Sequence, residues 1–359
     1  MAPPLPSCTI GRTGVSVSVL GLGTSMIGNL YRPLSDGEAR ETLDTALAIG
    51  MTYVDTAPHY GRGLSERRVG DAVRGRDSVI LSTKVGRLML PDASVRDDRE
   101  RDGFCSPMPF RPVYDYSRDG ILRSWEASLH RLGLAKVDLL FVHDIGRLSH
   151  GEDHDRTWRE LTSGGGLRAL EELRESGEIA GFGIGVNEVP ICLDVMSETR
   201  LDAILLAGRY TLLEQAPLDD LLPICTKADT SVIVGGPYNS GILATGVKQS
   251  TLTHYNYARA PQDIIDRVGE IEDIAAQYNV PIAALALQFP LAHPQVASVI
   301  PGIGNAKQVH DTMALLTIEI PSLLWSELKN AGLVRVDAPV PQLYANNVGG
   351  ASTAQHWRK

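Results

Sequence analysis

Eight short apolar runs, each followed by a longer stretch with helical spacing, constrain this chain more than any other feature of its sequence. The runs cover residues 17–21, 53–56, 79–84, 137–143, 179–186, 203–207, 231–235 and 296–300, and most are rich in β-branched residues. The helical stretches cover 36–49, 65–73, 119–132, 167–176, 190–196, 218–228, 262–278 and 306–316. Such alternation builds parallel β/α units, and eight is the number of strands that closes a barrel. The predicted fold is an α/β (β/α)8 TIM barrel, one domain over residues 1–333, with no internal repeat or linker to suggest a second. Gly11-Arg12-Thr13-Gly14, between Thr9-Ile10 and Val15-Ser16, predicts a small N-terminal hairpin that plugs the barrel floor.

Two connections are longer than ordinary βα loops, from Gly86 to about Ser117 and from Pro237 to about Pro261. Both follow strands, so both are expected on the C-terminal face, where barrels of this kind place their active sites. The C-terminal tail, residues 334–359, is a third expected cover over or near that face.

Composition narrows the function classes. A net charge of −9 and no block of five basic residues argue against a nucleic-acid partner. No run of 18 apolar residues exists to span a bilayer, and the N-terminus lacks the basic start and apolar run of a signal peptide. Cys8, Cys105, Cys192 and Cys225 are scattered without metal or disulfide spacing, so reduced thiols in a cytoplasmic protein are expected and no metal site is assigned. His150 and His154 fall in a polar stretch that reads as a solvated turn. None of these features specifies an oligomeric state.

Chemistry concentrates at the strand ends. The 53–56 run delivers Asp55, with Tyr60 five residues later in a turn bounded by Pro58 and Gly61. The next run ends in Lys84, where an ammonium after five strand residues must meet a partner or solvent. The following run ends in His143. Each residue alone reads as structural, but on a barrel three successive strand ends face one mouth. A phenol with a pKa of about 10 is a poor acid–base group at neutral pH, and a nearby Lys favours its ionised form. Asp55 would hold Lys84 charged, and His143 would donate a hydrogen bond to the reacting oxygen. These are parts for proton transfer at a carbonyl or alcohol oxygen, and they need a hydride partner.

The stretch Gly50–Gly70 resembles the aldo-keto reductase signature Gly-x-x-x-x-Asp-Thr-Ala-x-x-Tyr-Gly with its trailing Ser-Glu and Gly. Ser82-Thr83-Lys84 and Val137–His143 resemble the family's lysine and histidine strands, and the resemblance runs from about Leu20 to Leu328. It implies that Asp55, Tyr60, Lys84 and His143 are the family's catalytic tetrad. Tyr114–Gly120, Arg123–Gly133, Leu205–Leu213 and Pro237–Leu243 resemble the branch of aldose 1-dehydrogenases (L-fucose or D-threo-aldose type), L-galactose dehydrogenases and pyridoxal 4-dehydrogenases. That branch implies oxidation of a hemiacetal carbon to a lactone, with hydride passing to NAD(P). An aldose is the preferred substrate. Pyridoxal, or reduction of aldehydes and ketones with NADPH, are the alternatives. A nicotinamide-sensing regulatory subunit is the non-enzymatic alternative, and the short segment ahead of the first strand favours an enzyme.

By the same resemblance Asn187 holds the nicotinamide carboxamide. Pro301-Gly302-Ile303-Gly304-Asn305 leads into a helix, where free amide groups suit phosphate. Gly302, Gly304, Asn305, Gln308 and Asp311 are the expected contacts there, with Gly236 and Tyr238 beside the cofactor. Asp311 suits a free ribose hydroxyl and repels a 2′-phosphate, so NAD is expected, with NADP possible through Lys307. The family's glutamine near Ala207-Gly208 and its stacking aromatic near Gly235-Gly236 are missing, leaving Tyr210 or Tyr238 as substitutes. His59, Arg87 and Tyr114 are expected in the substrate pocket.

Overall fold

The computed structural model describes residues 5–248 and 253–342. Its strands, in chain order, are β1 (Ser7–Thr9), β2 (Ser16–Ser18), β3 (Leu22–Gly23), β4 (Tyr53–Asp55), β5 (Ile80–Val85), β6 (Arg87–Pro91) and β7 (Phe110–Tyr114), followed by β8 (Leu139–His143), β9 (Gly181–Val186), β10 (Ala203–Ala207), β11 (Ser231–Gly235), β12 (His254–Tyr255), β13 (Ala258–Arg259) and β14 (Val296–Ile300).

Eight of these form one parallel sheet in the order β14-β11-β10-β9-β8-β5-β4-β3. Its two edges meet through parallel bridges Leu20↔Val299 and Gly23↔Gly302. The amides of Gly21 and Gly23 donate to Val299 O and Pro301 O, each at 3.0 Å, so the sheet closes into the expected (β/α)8 barrel. The central strands are buried along their whole length, which is why they read as unbroken apolar runs rather than alternating ones.

The first expected strand needs correction. Ser16–Ser18 pairs antiparallel with Ser7–Thr9 in the N-terminal hairpin, and the barrel takes its first strand only from Leu20 onward. One continuous apolar stretch therefore serves two sheets. The hairpin does sit at the barrel floor: Gly11 N donates to Ser231 Oγ at the start of β11, and Arg12 pairs with Asp229.

The expected helices are present with ends shifted by one to a few residues. Asp36–Ala48 starts with a full capping box, Ser35 Oγ accepting from Glu38 N while the Glu38 carboxylate returns to Ser35 N. Helices at His154–Leu161, Ile282–Gln288 and Ser322–Asn330 were not expected. Ile282–Gln288 is buried throughout, so it carries no amphipathic signal. The 150–154 stretch is not a solvated turn: His154 is buried at the start of a helix with Nδ1 3.2 Å from Ile145 O, and His150 bonds the Tyr116 hydroxyl at 3.0 Å.

The first long connection is an ordered antiparallel hairpin, β6 against β7, in register Arg87↔Tyr114. The second contains a short helix, Ile242–Thr245, and the pair β12–β13. The described start of the tail packs against the connection that follows β10, where Arg335 pairs with Asp219 and its amide donates to Gln215. The rest of the expected tail cover, 343–359, lies outside the described residues. Among the described residues no helix is long and apolar enough to cross a membrane.

Candidate active site

The parallel register steps the three strand ends round the barrel mouth: Asp55 lies opposite Ser82, two residues before Lys84, Lys84 lies opposite Phe141, two residues before His143, and His143 lies opposite Gly185. A Cβ on Gly185 would stand 3.3 Å from Lys84 Cε, so glycine leaves the lysine stem its room. Lys84 Nζ donates to Asp55 Oδ2 at 2.6 Å and to Thr56 O at 2.9 Å. Ser82 Oγ donates to the other Asp55 oxygen at 2.7 Å, which fixes the carboxylate plane. Burial works against the Lys84 charge, but Asp55 and Tyr60 outweigh it and hold the ammonium above its ordinary pKa.

Tyr60 leaves β4 through a turn and places its ring 4.8 Å from Lys84 Nζ and 6.1 Å, edge-on, from the His143 ring. The expected lowering of its pKa is not the net result. Burial raises the phenol above its ordinary value, and the Lys84 ammonium offsets only part of this. His143 is pushed well below its ordinary pKa by burial, then by Arg87 and Lys84, so its ring is neutral near pH 7. A neutral ring can still donate one N–H.

The four residues line one cavity of about 800 Å³ on the C-terminal face. Its far end runs past Asn187 and Gly236 to Gly302 and Gln308, at the start of the helix Ala306–Thr317. Tyr238 also lines it, and among the described residues its buried hydroxyl has no hydrogen-bond partner; the same is true of the Asn239 side-chain oxygen. An elongated cleft with glycine walls, waiting polar atoms and a helix N-terminus fits a dinucleotide.

Several expected contacts stand elsewhere. Gly304, Asn305 and Asp311 are not on the cavity wall. Asn305 caps the helix by accepting from Gln308 N, Gly304 N donates to Gln308 Oε1, and Asp311 pairs with Lys307 at 2.6 Å. Tyr210 is fully buried against Phe289 and cannot stack on a ring in the cavity. Of the expected substrate residues, His59 lines the wall, packed edge-on to Phe104. Arg87 and Tyr114 lie one layer behind it: both belong to the β6–β7 hairpin, and the guanidinium sits over the Tyr114 ring.

Residues not expected from sequence complete the wall, among them Tyr31, Phe104, Asp144, Arg209 and Tyr257. Arg209 Nε donates to Asn187 O at 2.6 Å and so clamps the residue assigned to the nicotinamide. Arg32 Nη2 donates to Gly304 O at 3.0 Å beside the helix N-terminus. Asp144 could have been suspected, since it follows His143 at a strand end. The others come from loops whose paths no local pattern reveals.

The Aldo/keto reductase family model matches residues 19–332. The chain belongs to the aldo/keto reductase family. It is 43% identical over 336 residues to a pyridoxal 4-dehydrogenase of Microbacterium luteolum, covering 90% of this chain and 97% of that protein. It is 37% identical over 326 residues to a D-threo-aldose 1-dehydrogenase of a Pseudomonas species, covering 89% and 96%. An aldo-keto reductase of Bacillus halodurans in its holo form superposes with a TM-score of 0.70 at 25% identity, covering 93% of this chain and 98% of that one. This aldo/keto reductase is thus an oxidoreductase, of a family that uses NAD(P)(H).

Proposed function

We propose that this aldo/keto reductase oxidises the hemiacetal carbon of a cyclic substrate to a lactone, with NAD as the acceptor. The observation that carries this is the convergence of Asp55, Tyr60, Lys84 and His143 at one end of the cavity. Tyr60 takes the hydroxyl proton, and Lys84 stabilises the phenolate that does so. Asp55 keeps Lys84 charged and in place. Neutral His143 donates a hydrogen bond to the reacting oxygen and fixes its position. The nicotinamide, when bound, supplies the hydride acceptor; Asn187, Gly236, Tyr238, Gly302 and Gln308 would hold the dinucleotide.

Two substrates of this type are supported. Pyridoxal stands first, because the 43% identical relative is a pyridoxal 4-dehydrogenase and because Tyr31, His59, Phe104 and Tyr257 give the cavity flat walls for an aromatic ring. An aldose, the substrate preferred from sequence, is favoured by the 37% identical D-threo-aldose 1-dehydrogenase and by Asp144, Asn256 and Arg209 on the wall. NAD is preferred because Asp311 already neutralises Lys307, while Arg32 is a cation that the sequence pattern had not placed near the helix. The test is a panel of pyridoxal, L-fucose, D-arabinose, L-galactose and simple aldehydes, each with NAD and NADP, followed by nicotinamide absorbance. Oxidation of pyridoxal or an aldose supports the proposal, and activity on none of the panel overturns it.

A further inference from the structure

We propose that Asp144 recognises a hydroxyl group next to the reacting carbon, making this site selective for hydroxylated substrates; this rests on the carbonyl or hemiacetal chemistry proposed above. Asp144 follows His143 directly at the end of β8 and lines the cavity with it. Its backbone turns into the left-handed region at φ 47, unusual for a residue with a side chain, while its N–H stays bonded to Gly185 O at 2.9 Å. The chain therefore leaves the barrel in a fixed direction, with the carboxylate beside the reacting end: Oδ2 lies 3.5 Å from His143 Nε2.

That carboxylate carries its own counter-charge. Buried Arg87, behind the wall, donates to Oδ2, and among the described residues no other side chain donates a hydrogen bond to the Asp144 carboxylate. Oδ2 is thus held by Arg87, which leaves Oδ1 free of side-chain donors among the described residues, and the side chain is 22% accessible at the cavity. Asp55, Asp102 and Glu100 also line the cavity; the first two are engaged with Lys84 and Ser82, and with Arg62, and Glu100 is exposed on the long loop between β6 and β7, not at the end of a barrel strand.

An ionised carboxylate only accepts hydrogen bonds. The reacting oxygen of a carbonyl also only accepts, and Tyr60 and His143 supply its donors. Asp144 therefore needs a different donor, and a hydroxyl on a carbon adjoining the reacting group is the neighbour within reach. Aldoses carry one on the next carbon; pyridoxal carries its phenolic hydroxyl one carbon further out, ortho to the aldehyde. A substrate without it desolvates the carboxylate and gives nothing back, which is how a polar site rejects an analogue.

Glycolaldehyde and acetaldehyde, reduced with NADH, differ only in this hydroxyl. The wild-type protein is expected to favour glycolaldehyde in kcat/KM by about tenfold to a hundredfold. Asp144→Asn and Asp144→Gly both tolerate the positive φ, and each is expected to cut that preference at least about fivefold. Arg87→Met, which frees the carboxylate from its anchor, should also weaken it. NADH fluorescence titration identifies the folded variants to be compared. No preference in the wild type, or the same preference in both Asp144 variants, overturns the assignment. If pyridoxal and the aldoses are not oxidised but the preference and its loss are seen, the lactone proposal falls and this one stands. If they are oxidised and the preference survives substitution, the reverse holds.

Discussion

Lys84 Nζ and Asp55 Oδ2 stand 2.6 Å apart with both side chains only 2% exposed, so the centre of the site is a dry ion pair. Removing one partner leaves the other charged and buried, a change that costs about 3–5 kcal/mol in comparable pairs. Lys84→Met is expected to lower the unfolding free energy by about 3 kcal/mol and turnover by at least about a hundredfold. Urea unfolding and steady-state rates measure the two separately. Unchanged turnover in a folded variant would remove Lys84 from the chemistry.

The raised pKa of Tyr60 has a direction-dependent consequence. Oxidation needs the phenolate, which burial disfavours, so kcat/KM for oxidation should rise about tenfold per pH unit from neutral into the alkaline range. Reduction needs the phenol and should be flat over the same range. Tyr60→Phe should abolish both while leaving the dissociation constant for NADH within about threefold, since only a hydroxyl is lost. An oxidation rate independent of pH between 7 and 9 would separate Tyr60 from the proton transfer.

His59 and His143 are both neutral in the fold: burial, then Arg87, pushes His59 down to about 3 and His143 well below its usual range. An unfolded histidine titrates near 6.5. Below that pH the unfolded chain takes up protons that the folded chain does not, so each histidine lowers stability as the pH falls, by up to about 1.4 kcal/mol per unit. For His59 the window runs from about 6.5 down to about 3. His59→Phe fills similar space against Phe104 without titrating. Its stability between pH 6.5 and 4.5 should therefore fall less steeply than that of the wild type, by about one proton's worth. Parallel stability curves from denaturant titrations would refute the assignment.

How much of this was legible in the sequence follows from what holds each part. Buried parallel strands announce themselves because both faces must be apolar, and Asp55, Lys84 and His143 stand out as charges at the ends of such runs. The hairpin strand Ser16–Ser18 was merged with the barrel because its partner is defined by pairing, not by composition. Arg87 reads as a pocket residue from its place after a strand, yet it serves Asp144 from behind. That relationship depends on the path of β6 against β7. Asp311 shows the same limit: its ion pair with Lys307 is a local i,i+4 contact that diverts it from the cavity.

The proposed preference for NAD rests on that pair. With Lys307 neutralised by Asp311, Arg32 is the cation left at the helix start to meet a 2′-phosphate, and NAD is expected to be used more efficiently than NADP. Asp311→Ala frees Lys307 in the first turn of this helix and should move the NADP-to-NAD ratio of kcat/KM upward by about threefold to tenfold. An unmoved ratio would show that Lys307 does not reach the ribose, and wild-type preference for NADP by tenfold would overturn the assignment of NAD.

Gly86 links backbone geometry to the reacting end. It follows β5 with φ 94, and a Cβ there would stand 2.3 Å from the Tyr116 ring. Tyr116 is fully buried, and its hydroxyl donates to His143 O at 2.7 Å and meets His150 at 3.0 Å. Gly86→Ala thus imposes a strained backbone and displaces the ring that braces the His143 main chain, with a combined cost of about 2–4 kcal/mol. Because the ring must move away from His143, kcat should fall by more than the loss of folded protein explains. Tyr116→Phe separates the two effects: it keeps the ring in place and removes only the hydrogen bonds. The alanine variant should lose more stability than the phenylalanine variant, while both lose turnover. Full turnover by folded Tyr116→Phe would show that His143 is held by the barrel strand alone.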